Sequence, residues 1–319
     1  MIDEQFGPGG GRLVSMSTAR FGATDAFHET QVREKPGDAN VHSNFGAYLK
    51  EKKADVVGAE REYRKALQIE PNHVNALGNL ANLLSERGDS DGARDLYQLA
   101  IAIEPPDENA SWNFARFLTA RDELVRARAV VDRTLKAVPG SARLRQLSGD
   151  MLLLEGRGKE ALEEYDRAGQ LSANCGVESG GAIALQLSGA PIGDTIAAYW
   201  TAIGFDPDDP VLHLNLAQLL FLKSEDREAR VQLALAVSGG LENSAKLEAE
   251  FYQAAHTAAD LAAVFSRVKG LLEAGARLHW DVAPNIDMVE RTDPKRGDLL
   301  RRLKDVMTGE LPVDRLPAG

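Results

Sequence analysis

The residue types best able to do chemistry are few and scattered in this chain. Its six histidines are His28, His42, His73, His213, His256 and His279. A metal site needs several donors at short fixed spacings, and no two of these histidines, nor any of them with the lone Cys175, stand at such a spacing. His256 and Asp260 lie four apart, on one face of an expected helix, but two ligands do not make a site. Cys175 has no histidine near it in sequence to serve as its base. The GPGGG run near the start lacks a following GK[ST] and a preceding strand, so it is no phosphate loop. The carboxylate pairs Glu163-Glu164 and Asp208-Asp209 fall on a helix face and a turn, where solvation accounts for them. His42 and His213 open helices at positions that call for a packing residue. The expectation is a chain that is not an enzyme, with no catalytic residue, no metal and no cofactor.

The bulk numbers narrow the class further. Of 319 residues, 44% are hydrophobic and 27% charged, enough apolar surface for a core and too much charge for a membrane protein. The net charge of −11 repels phosphate backbones, which argues against nucleic acid as a partner. An acidic body would attract a basic partner; the same charge equally serves solubility alone. A single cysteine permits no internal disulfide and fits a reducing compartment. The opening MIDEQFGPGGGRLVSMS has no apolar run and does not read as a secretory signal. No segment reaches the roughly 18 apolar residues of a spanning helix, so no membrane is expected and a cytoplasmic location is.

The elements that would position any site repeat along the chain. Pro71, Pro105 and Pro139 stand 34 residues apart, Ala173 and Pro207 continue the phase, and Pro36 precedes Pro71 by 35. Five residues before each slot lie Ala66, Ala100, Thr134, Ala168, Ala202 and Ala236. Eight before it lie Tyr63, Tyr97, Val131, Tyr165, Tyr199 and Leu233, and twelve before it Ala59, Ala93, Ala127, Ala161, Thr195 and Ala229. Earlier in each unit a small residue follows a large one: Phe45-Gly46, Leu80-Ala81, Phe114-Ala115 and Leu216-Ala217, with Gly149 and Ile183 in the remaining two units. Small residues let two helices approach and large neighbours fill the gap. Proline stops the second helix, and Gly88 and Gly156 fall between the helices, where a left-handed residue is needed.

A 34-residue helix–turn–helix period with this small–large–proline pattern resembles the tetratricopeptide repeat. Residues 73–106 are especially close to that pattern; the unit holding Ile183 and Thr195 departs from it most. The resemblance implies an all-α, right-handed superhelical solenoid of helix–turn–helix repeats. Six repeats are expected over residues 39–243, with a disordered tail over 1–16 and an N-terminal capping helix over 17–38. Residues 244–277 would form a degenerate seventh helix pair and 278–319 a C-terminal cap. Within that cap HWDVAPNID reads as irregular, and Asp293-Pro294 as the N-cap and first position of a helix ending near Gly309.

First helices line the inner, concave surface in this family. Two residues before the small slot stand Asn44, Asn79, Asn113 and Asn215, an amide ladder able to clamp an extended peptide's backbone. It resembles the ladder lining the repeat domain of an O-linked sugar transferase, but breaks at Leu147 and Gly181. Asparagine is also common at this slot whatever a family member binds, and that reading stands beside the first. One residue after the small slot, Asn82, Arg116, Asp150 and Gln218 would also face inward and add specificity. Gripping a terminal carboxylate with inward bases is disfavoured, because Arg116 is the one base the frame places there. Gly180-Gly181 reads either as a hinge or as a poorly conforming unit. The function expected is a scaffold or adaptor holding a protein or peptide in its groove. The alternative is a non-catalytic accessory subunit that docks an enzyme through its convex face or C-terminal cap.

Overall fold

The computed structural model describes residues 25–172, 176–257 and 260–316. The expected tail, the start of the expected capping helix, Ala173 and Cys175 lie outside them. The described residues hold α-helices, one short 3₁₀ turn at Val313–Arg315 and no strand. Two compact units divide the chain, residues 1–144 and 145–319.

The N-terminal unit runs α1 (Asp25–Glu34), α2 (Ala39–Lys53), α3 (Val56–Ile69), α4 (Val74–Glu86), α5 (Ser90–Ala102), α6 (Glu108–Thr119), α7 (Leu124–Ala137) and the start of α8 (Ala142–Leu154). The helix starts are written in side chains. Asp38, Asp55, Asp89 and Asp107 each accept a backbone N–H of the first turn, satisfying a donor the helix itself cannot. His73 does the same with Nδ1 toward Ala76 N, so its proton sits on Nε2, 3.1 Å from Asn40 Oδ1. Gly88 ends its turn at φ +86°, a conformation other residues resist.

The small slot works by contact. A Cβ on Gly46 would lie 2.7 Å from the Tyr63 ring, and one on Gly149, in the other unit, 2.7 Å from the Tyr165 ring. Each tyrosine of the second helix therefore occupies the hollow that the first helix leaves by having no side chain there. Upstream, α1 covers the first pair, with His28 against Phe45 and Tyr48.

The C-terminal unit continues from α8 through α9 (Gly158–Leu171), α10 (Glu178–Ser188), α11 (Ile192–Phe205), α12 (Pro210–Leu222), α13 (Asp226–Ser238), α14 (Asn243–His256), α15 (Leu261–Glu273), α16 (Ala283–Thr292) and α17 (Pro294–Thr308). Gly180 is required by packing: a Cβ there would meet the Tyr165 ring at 2.5 Å. The HWDVAPNID stretch is not irregular throughout, because α16 begins inside it. Asp281 Oδ1 accepts Ala283 N at 2.9 Å, Pro284 suits a first turn, and Ile286 and Val289 bury one stripe. Asp293 caps α17 and Gly309 ends it at φ +87°.

Helices α16 and α17 do not extend the stack as another pair would. They fold back, α16 against α12 and α14, α17 against α14. The consequence shows in α12, which is buried without interruption from Leu212 to Phe221 instead of along one stripe.

Candidate functional site

The four asparagines of the expected ladder differ in their exposure. Asn44 is exposed on α2; Asn79 on α4 and Asn113 on α6 are half-buried. Each of the latter two precedes a large core residue, Leu80 or Phe114, so packing fixes its backbone while its amide stays at the flank. Among the described residues no group hydrogen-bonds to the Asn79 or Asn113 amide. Helix α4 carries no charge until Glu86, so the ladder crosses a neutral face.

The residues after the small slot behave otherwise. Tyr97 OH donates to Asn82 Oδ1, and Tyr165 OH donates to Asp150 Oδ1 at 2.7 Å. Both acceptors tie a first helix to its own second helix, and neither stands free for a ligand. Burial pushes the Tyr97 phenol up to about 12 and raises the Asp150 carboxyl above its ordinary range. Where the tyrosine is replaced, by Val131 or Leu233, the facing residue is released. Those residues are Arg116 and Gln218.

Arg116 lies over the Trp112 ring, 4.4 Å from its centroid, with Asn113 beside it. Arg143, from the next first helix, lies over the same ring at 3.4 Å, and its Nη1 donates to Asn109 Oδ1 at 3.1 Å. Sequence reasoning missed Trp112 and Arg143. The signal was present in the frame: Asn109 and Arg143 are 34 residues apart, the same slot in successive repeats, and Trp112 and Arg116 are one helical turn apart.

Asn215 and Gln218 do not belong to an open face. They are 5% and 3% exposed, because the chain's own C-terminal segment covers α12. Trp280 Nε1 donates to Gln218 Oε1 at 2.7 Å, and Gln218 Nε2 donates to Asp281 O at 3.2 Å. Gln186 Nε2 also donates to Gln218 Oε1, at 2.8 Å, and Tyr199 OH donates to Gln186 Oε1 at 2.6 Å. Further along, Arg296 donates to the carbonyls of Ala254 and Thr257. Beneath the segment Glu248 Oε1, Tyr252 OH and Asn285 Oδ1 are buried without a hydrogen-bond partner. Burial, opposed in part by the neighbouring Tyr252 hydroxyl, lifts the Glu248 carboxyl to about 7.

Elsewhere the candidates for chemistry stay structural. His42 and His213 are buried packing residues. Burial, then the charges of Arg296 and Arg230, hold His256 down at about 4, and its ring stacks on Phe221 at 3.9 Å. Among the described residues no group of three or more metal-ligating side chains converges, and no helix is long and apolar enough to cross a membrane.

Tandem helix hairpins with a tyrosine seated on a glycine or alanine define a helical-repeat protein. Residues 52–109 and 85–151 match the tetratricopeptide-repeat family model. Residues 52–151 of this chain thus carry tetratricopeptide repeats. No curated protein matches it. Among solved structures it is similar to a tetratricopeptide repeat protein from Parabacteroides merdae, at 15% identity over 84% of this chain and 98% of the other, with TM-score 0.57. It is also similar to a chain of the APC/C Cut9–Hcn1 hetero-tetramer, at 14% identity over 70% of this chain and 44% of the other, with TM-score 0.59. At these identities the likeness speaks for the fold.

Proposed function

We propose that the chain is a non-catalytic scaffold, cytoplasmic in keeping with its single cysteine, that holds an extended segment of a protein partner. The binding face is formed by α2, α4 and α6 of the N-terminal unit, with Asn44, Asn79 and Asn113 gripping the partner's backbone. One observation carries this reading. Two amides at the same slot of successive repeats are held by packed neighbours and have no hydrogen-bond partner among the described residues. An amide that both donates and accepts, repeated at the helix-pair spacing, suits the alternating N–H and C=O groups of an extended strand. Tetratricopeptide repeats serve protein–protein interaction, which makes this the expected use of such a face.

A second reading rests on the second helices of the C-terminal unit. Trp200 and Phe205 on α11, and Val231, Leu235 and Val237 on α13, are exposed. A groove of about 360 Å³ beside them is lined by Val237, Leu241, Ala249 and Leu271. That surface would suit the accessory-subunit role, docking an enzyme through its outer side.

Affinity capture separates the two. The wild-type chain is compared with Asn44→Ala/Asn79→Ala/Asn113→Ala and with Trp200→Ser/Phe205→Ser, each checked for equal helicity by circular dichroism. Loss of the captured partner in the first variant alone supports the amide face. Loss in the second alone supports the outer surface and overturns the first reading.

A further inference from the structure

We propose that Trp112, Arg116 and Arg143 form a cationic platform in the N-terminal unit that binds an acidic linear segment of the partner, through its aspartate and glutamate side chains. The proposal rests on the amide face described above and names the chemistry that face selects.

The two guanidiniums share one ring with no ion pair between them and an acid; the other ring shared by two arginines, Phe117 under Arg94 and Arg121, has Arg94 bound to Glu123. In the same unit Arg87 pairs with Glu60, Arg94 and Arg126 with Glu123, and Arg133 with Glu104. Arg116 and Arg143 are both exposed, and neither is in an ion pair among the described residues. The nearest acid, Glu108, accepts a hydrogen bond from Ser141 Oγ at 2.8 Å. In a chain of net charge −11, two bases brought to one indole with no ion pair make a locally basic spot.

Their geometry suits the carboxylates of an acidic segment. A guanidinium laid on an aromatic face keeps its donor-bearing edge outward and loses little freedom on binding. That edge matches a carboxylate in a two-pronged hydrogen bond. The cations also weigh on each other. Burial holds the Arg143 guanidinium below its usual range; the charge of Glu108 opposes it, and the smaller effect of Arg116 adds to it. An anion between them relieves that repulsion.

The surroundings agree. Asn79 and Asn113 flank the platform with free amides, and α4 presents no acid to the segment until Glu86. A peptide backbone on the amides would carry its acidic side chains to the arginines. The acidity of the whole chain, which by itself points to a basic partner, does not describe this face.

Fluorescence anisotropy tests the proposal with three labelled, C-terminally amidated peptides: alternating Glu and Ser, the same with Gln for Glu, and the same with Lys for Glu. The full chain is expected to prefer the Glu peptide, with binding that weakens as salt rises. Arg116→Gln/Arg143→Gln should weaken it about tenfold, the loss of a charged hydrogen bond, and leave the Gln peptide unchanged. Arg116→Lys/Arg143→Lys should retain part of the preference. Equal binding of the Glu and Gln peptides, or an undiminished preference in the double Gln variant, overturns the platform. Either result leaves the scaffold reading intact if Asn79→Ala/Asn113→Ala still abolishes partner capture. If the asparagine variant captures normally while the arginine variant loses the Glu peptide, the scaffold's amide grip fails and the platform stands.

Discussion

His42 Nδ1 lies 2.8 Å from Glu62 Oε2 inside the first repeat, and His42 Nε2 lies 3.0 Å from Pro36 O. His213 repeats the arrangement in the C-terminal unit, with Gln232 Oε1 at 2.6 Å and Pro207 O at 2.9 Å. The imidazole thus links a first helix to its own second helix and to the proline that precedes its repeat. The two sites differ in charge, carboxylate in one and amide in the other.

That difference gives a pH prediction. Burial pushes the Glu62 carboxyl up, but hydrogen bonds from His42, Lys65 and Arg61 outweigh it and leave the group below its ordinary 4.5. A depressed carboxyl contributes stability above 4.5 that is lost as pH falls through its folded value. Thermal melts of the wild type should therefore drop more steeply below that pH than those of Glu62→Gln, which copies the Gln232 site. Glu62→Ala leaves the imidazole unpaired and should cost about 3 kcal/mol near neutrality.

Glu248 predicts the opposite slope. Its carboxyl is raised by burial to about 7, so the folded state holds a proton that the unfolded chain releases near 4.5. Stability from this group is greatest below 4.5 and declines as pH rises toward 7. Glu248→Gln should raise the melting point at pH above 7, by up to about 3 kcal/mol, and have little effect in acid. A variant that melts lower than wild type at high pH would show that Glu248 makes a needed contact.

The small slot sets a steric prediction. Gly46→Ala and Gly149→Ala each drive a methyl into a tyrosine ring at 2.7 Å. Despite alanine's better helix propensity, each should destabilise by about 1–3 kcal/mol, read from urea unfolding. Gly78→Ala, where a Cβ meets nothing within 4 Å, is the control and should be neutral or stabilising.

The Trp280 contact sets the last. Trp280→Ala removes the donor to Gln218 and part of the cover of α12. Amide hydrogen exchange should speed up in α12 and α16 while α2 and α4 stay protected as before. Uniform loss of protection along the chain would show that the contact holds more than its own unit.

Much of the fold was legible because its rules are local and repeated. A glycine at 46 or 149 and a tyrosine sixteen or seventeen residues on, followed in the first case by a proline eight later, state one helix hairpin, and the hairpin recurs. The caps at Asp293 and Gly309 were legible for the same reason. The site was only half legible. Asn79 and Asn113 stand where the period put them, but the frame says which residues share a slot and nothing of what comes back to cover them. Asn215 and Gln218 share the ladder's pattern and are buried by Trp280 and Asp281, more than 60 residues away. Asn82 and Asp150 face inward by register, and the tyrosine hydroxyl that claims each one was visible only once the helices were packed. Arg143 escaped notice because it opens α8, at a slot where the earlier repeats carry asparagine.

The segment over α12 also acts as a competitor that never diffuses away. Four residues, 274–277, separate α15 from Leu278, and so short a tether gives an effective concentration on the order of millimolar. A free peptide present at micromolar levels would have to bind α12 about a thousandfold more tightly than Trp280 and Asp281 do merely to occupy it half the time. Ligand capacity is therefore unequal along the chain. The N-terminal face answers to partner concentration, and the α12 face answers first to its own tether.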